Sequence, residues 1–345
     1  MKYLGYIGTY TKGDSEGIYT FTLDTEIGAI TEVKVAAQLD NPTYLHVSED
    51  YLYSVVKEGD SGGVASFSLH RQSGELKPIN RQVTPGSPPC HVSADRQDRL
   101  LFSSNYHKGT VESYLIKDGW INHVVDIVQH EGFGPDPRQE KPHTHYAAMT
   151  PDEKFLVVVE LGSDQLITYR VGDEGGLTCV HHLAINPGSG PRHLTFHPNQ
   201  KFAYLLTELS SEVVTLNYHA EDGSFSTIQT LSAIPEDFKE NNQASAIHMT
   251  KDGQFLYTAN RGHNSIAVFR VHPESGELQW IEHVPTGGDW PRDFALDPSE
   301  KFIIASNQNS SNLVLFARNA ETGKLTRIRM DVTVPDPVCV KFLPV

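Results

Sequence analysis

Cysteine is scarce: only Cys90, Cys179 and Cys339 occur in 345 residues, and no two form a C-x-x-C pair. That excludes a disulfide framework and a cysteine zinc site, and it fits a reducing cytoplasm. No apolar run approaches a membrane span. The stretch Met1–Thr9 alternates too regularly, and is too polar, for the core of a signal peptide. Basic residues are outnumbered, 28 Lys and Arg against 43 Asp and Glu, for a net charge of −15. Nucleic acid and anionic membrane surfaces are therefore poor partners. An anionic ligand would need a local cluster of Arg and His to overcome that field. Helical three-to-four spacing is nearly absent. No Gly-x-Ser-x-Gly nucleophile elbow is expected, which argues against a serine hydrolase.

What is present is a repeat. Pro191-Arg192-His193-Leu194-Thr195-Phe196-His197-Pro198 recurs as Pro291-Arg292-Asp293-Phe294-Ala295-Leu296-Asp297-Pro298, with looser copies over 144–157 and 245–257. A Leu or Phe anchor follows each turn at Leu100, Phe155, Phe202, Phe255 and Phe302, at intervals of 55, 47, 53 and 47 residues. A copy lacking two turn residues surrounds Tyr51. Each unit reads as four short strands, which predicts β-propeller blades. The terminal Val338–Phe342 reads as an innermost strand with no blade after it. Residues 3–11, 17–24 and 30–37 read as three outer strands with no innermost strand before them. Joined, they close blade 1 and hide two edges. The expectation is an all-β, seven-bladed β-propeller, one domain over residues 1–345, with four antiparallel strands per blade.

In a blade, the start of the innermost strand and the end of the second strand share one face. The aligned entries are Thr43, Cys90, His145, Arg192, Ser245, Arg292 and Val338; the exits include Asn105, Glu160, Glu208, Asn260-Arg261 and Asn307. One channel mouth should thus collect His145, Arg192, Arg261 and Arg292 as cations, with Glu160 and Glu208 as candidate bases. The recurring Asn105, Asn260 and Asn307 suit strand-end backbone groups as well as a ligand. The loop Arg138–His145 feeds the same mouth. Its His143-x-His145 has no third ligand at metal spacing, so neither metal nor other cofactor is expected.

Three further groups of residues carry a family resemblance: Tyr6-Ile7-Gly8-Thr9-Tyr10-Thr11, Arg138-Gln139-Glu140-x-Pro142-His143-x-His145, and Gly190-Pro191-Arg192-His193 with Glu208-Leu209 and Asn260-Arg261-Gly262-His263. In these the whole chain resembles the lactonase family of seven-bladed propellers. That family includes bacterial 6-phosphogluconolactonases and fungal carboxymuconate-lactonising enzymes. The resemblance implies hydrolysis of a small anionic sugar lactone, 6-phospho-D-glucono-1,5-lactone, in the pentose phosphate pathway, by a monomer or homodimer. It maps the family's functional group onto His145, Arg192, Glu208 and Arg261. Glu208 would be the general base, His145 an acid or water-orienting partner, and the two Arg the oxyanion or phosphate ligands. Arg292, His143, Arg138, His193, Asn260 and Asn105 complete the substrate-binding candidates. Relatives carry Asn-Glu where this chain has Lys57-Glu58, and Ala-Glu-Ile-His where it has Ser245-Ala246-Ile247-His248. A carboxymuconate-type cycloisomerase and a non-catalytic binding propeller are the alternatives.

Overall fold

A computed structural model describes residues 1–344. These form seven four-stranded antiparallel sheets and no helix. The innermost strands are Pro337–Phe342, Leu45–Val47, His91–Ala94, Thr144–Met149, Pro191–Phe196, Gln243–Met249 and Pro291–Leu296, for blades 1 to 7 in turn. Each adjoins the next around a ring. Closure is as expected: Pro337–Phe342 pairs with the first strand of the chain, Lys2–Thr9, with Cys339 opposite Gly8. Blade 2 has the shortest inner strand, three residues, beside its shortened turn.

The recurring turn explains the repeat. Thr150–Glu153, His197–Gln200 and Asp297–Glu300 each close with a backbone hydrogen bond from fourth residue to first. The fourth residue lies in the left-handed region at φ of 58°, 60° and 56°. In two of these turns the first side chain also accepts the amide of the anchor: Thr150 from Phe155 and Asp297 from Phe302. Local side-chain bonds of this kind hold a turn whose backbone L-residues otherwise avoid.

The anchors then join blades to one another. Gly276, in the outer hairpin of blade 6, has φ of 71°, and a Cβ there would lie 2.6 Å from the Phe202 ring of blade 5. Only glycine meets both conditions. Seven hydrophobic clusters fill the structure, one for each pair of neighbouring blades. Core apolar area is thus shared between blades, which ties every blade to its neighbours.

Candidate active site

The innermost strands enter the channel mouth through β-bulges. Thr144 pairs with Glu160 and Tyr146 with Val159, so His145 is an extra, unpaired residue. Arg192 occupies the same place between Pro191 and His193, and Arg292 between Pro291 and Asp293. A bulge interrupts strand alternation and re-aims the side chain it frees. Here it turns one imidazole and two guanidiniums into a cavity of about 500 Å³, within the usual range for a small-molecule site.

The cavity wall on blades 4 to 6 is built around Glu208, which is 3% exposed. Arg192 Nε lies 3.0 Å from its Oε2, and Arg261 Nη2 lies 2.8 Å from the same oxygen. Arg138, on the loop between blades 3 and 4, pairs with Oε1. Burial alone would raise the Glu208 pKa, but Arg261, Arg192 and Arg138 outweigh it and hold the carboxyl well below its usual range. The guanidiniums are themselves anchored. Arg192 donates to the Ser245 carbonyl, and Arg261 donates to those of Gln243 and Ala244 at 3.0 and 3.2 Å. Arg261 also lies 5.5 Å from the Trp290 ring centroid.

His145 stands beside this cluster, 4% exposed. Burial, reinforced by the Arg192 charge, drives its pKa well down, so the ring is neutral at pH 7. Its Nδ1 is shut away without a hydrogen-bond partner, and among the described residues none bonds Nε2; His145 lines the cavity. Below it, His145, His193, His91, Tyr146 and Tyr44 pack ring against ring, 4.4 to 5.8 Å between centroids, and floor the channel. Cys90 lines the cavity, but burial pushes its thiol up to about 11, which removes the thiolate a nucleophile needs.

Other expected residues stand back from the cavity. Glu160 is fully buried, and its carboxylate accepts the backbone amides of His143, Gly162 and Ser163; it holds the loop rather than facing a ligand. Asn105 bonds the Ser87 carbonyl at 2.8 Å and the amides of His107 and Lys108. Asn260 bonds the Ala233 carbonyl at 2.8 Å. Both serve strand ends, in place of the ligand contact expected. His143 stacks on Tyr106 at 4.1 Å and bonds the Tyr106 carbonyl and Glu140, turned away from His145. Among the described residues no three His, Cys, Asp or Glu are placed to hold a metal. Two Gly-x-Ser-x-Gly strings occur, 13–17 and 59–63: Ser15 lies in the connection before the strand Gly17–Asp24 and is bonded to Thr9, and Ser61 opens the strand Ser61–Leu69; neither leads into a helix. Tyr106, at a second-strand exit, lines the cavity as its position implied; Tyr10, Lys57, Trp290 and Asp293 also line it and were not expected there. For Lys57, the departure from the family's Asn was the available signal.

The model of a family described as "Lactonase, 7-bladed beta-propeller" matches residues 4–342. The chain belongs to the seven-bladed β-propeller lactonases. This lactonase is 52% identical, over 99% of both chains, to a Bacillus subtilis protein named 6-phosphogluconolactonase. Its structure superposes on that of a Lactobacillus plantarum protein with a TM-score of 0.96 at 44% identity, covering 100% of each chain. It is also similar to a periplasmic gluconolactonase of Pseudomonas aeruginosa, with a TM-score of 0.95 at 32% identity over 100% of this chain and 99% of that one.

Proposed function

We propose that this lactonase hydrolyses 6-phospho-D-glucono-1,5-lactone to 6-phosphogluconate, using its own side chains to activate water. The carrying observation is a neutral, unpartnered His145 beside three guanidiniums gathered on one buried carboxylate. The B. subtilis relative's name supports the choice of substrate. We also place the protein in a reducing compartment, on the support of its three free thiols.

His145 suits the base better than Glu208. Each Glu208 oxygen is already engaged by a guanidinium, whereas Nε2 of His145 has no hydrogen-bond partner among the described residues. Nε2 of His145 takes a proton from water as the water oxygen bonds to the lactone carbonyl carbon. Arg192 and Arg261 face the carbonyl oxygen as it becomes anionic, and Glu208 keeps their forks in place. The ring C–O bond then breaks, and His145 returns its proton to the departing alkoxide. The free acid ionises on release. A positioned base contributes about 10²–10⁴-fold, and preorganised donors about 10²–10³-fold.

The test is hydrolysis of the lactone in the presence of chelator, with the spontaneous rate subtracted. The proposal expects acceleration that Arg192→Ala abolishes. A wild-type protein that leaves the spontaneous rate unchanged overturns it.

A further inference from the structure

Five cationic side chains line the cavity, Lys57, Arg138, Arg192, Arg261 and Arg292, against two carboxylates, Glu208 and Asp293. Glu208 takes three of the cations. Asp293 is turned elsewhere: its Oδ1 lies 3.2 Å from His248 Nε2, and its Oδ2 accepts the Val340 amide at 3.0 Å. Among the described residues, no carboxylate pairs with Arg292 or Lys57. An unpaired guanidinium and an unpaired ammonium therefore share one cavity in a protein of net charge −15.

Their positions are as informative as their charge. Arg292 is the bulged entry residue of blade 7, its guanidinium 5.3 Å from the Tyr10 ring centroid of blade 1. Lys57 is the penultimate residue of the second strand of blade 2, Tyr51–Glu58. Blades 7, 1 and 2 are consecutive, and in a seven-membered ring they lie across the channel from blades 4 and 5, which carry His145, Arg192 and Glu208.

We infer that Arg292 and Lys57, with Tyr10 in the same cavity wall, form a phosphomonoester subsite that selects the phosphorylated lactone. This rests on the hydrolytic reading of the opposite wall. A phosphomonoester carries about −1.5 to −2 charge at pH 7. The planar fork of Arg292 suits two of its oxygens, and Lys57 supplies a point charge. A substrate spanning the cavity places its phosphate here and its lactone carbonyl at His145. Lys57 thereby becomes a determinant of substrate choice.

The experiment compares wild type, Lys57→Gln, Arg292→Gln and a control of equal charge change, Lys154→Gln, whose side chain bonds the Ala220 carbonyl outside the cavity. The readout is the ratio of kcat/KM for 6-phosphogluconolactone to that for glucono-1,5-lactone. The ratio should fall about tenfold or more in each subsite variant, through KM, and stay at the wild-type value in the control. Calorimetric titration with inorganic phosphate needs no turnover and should weaken in the same two variants. An unchanged ratio with unchanged phosphate binding overturns the subsite. Wild-type hydrolysis of neither lactone overturns the hydrolytic reading instead, and the titration still decides the phosphate subsite. Lys57 lies on the exposed rim, so its replacement keeps the test open if Arg292→Gln does not fold.

Discussion

Glu160 ends the second strand of blade 4 and Glu208 directly follows that of blade 5, and both are buried. Their surroundings differ completely. Glu160 meets backbone amides of the 143–163 region, whereas Glu208 meets three guanidiniums, from a bulge (Arg192), a strand end (Arg261) and a loop (Arg138). The same carboxylate at nearly the same repeat position is a fastener in one blade and the centre of a charged site in the next. A repeat supplies positions; what faces each position decides its role.

The sharpest way to break this contrast is Glu208→Gln. Removing one partner from a buried ionic cluster should cost about 3–5 kcal/mol of stability. With the forks of Arg192 and Arg261 no longer held, kcat should drop about 10²-fold or more. Denaturant titration and steady-state kinetics check both. Glu160→Gln should cost less, about 1–3 kcal/mol for amides left poorly satisfied, with kcat within a few-fold of wild type below its melting temperature. Equal kinetic losses in the two variants would erase the distinction.

A smaller effect separates carboxylates from histidines. His91, His130, His145 and His193 are buried with pKa values driven down by burial, His130 to about 4. The unfolded chain binds protons below about 6.5 that the folded chain refuses, so stability should fall as pH drops from 6.5 toward 4, by up to about 1.4 kcal/mol per pH unit for each such histidine. Glu208, held low, loses its contribution only at lower pH. Unfolding free energies between pH 7 and 5 should therefore decline, and His130→Gln should flatten the slope. A flat profile in wild type would mean these rings are protonated in the fold.

Much of this architecture was readable from the chain. Turn residues such as Thr150 and Asp297 and anchors such as Phe202 recur because each blade must solve the same packing problem, and the orphan strand at Val338–Phe342 announced closure. The site was readable as far as position: His145, Arg192, Arg261 and Glu208 were placed at one mouth by alignment. The bulges were not, because a bulge is a mismatch between two strands and neither strand alone records it. Glu160 was taken for a candidate base because its position matches that of Glu208, and its fastening to the His143 amide depends on a loop whose path no local pattern encodes. Lys57 showed only as a departure, since its meaning depends on Arg292 across blade 1.

We propose that an uncharged His145 activates water at this mouth. The direct measurement is the initial rate of 6-phosphogluconolactone hydrolysis at pH 7 for wild type and His145→Gln, corrected for spontaneous opening, on proteins with matching thermal melts. A fall of about 10²–10⁴-fold is predicted; a variant that turns over as fast as wild type would contradict it.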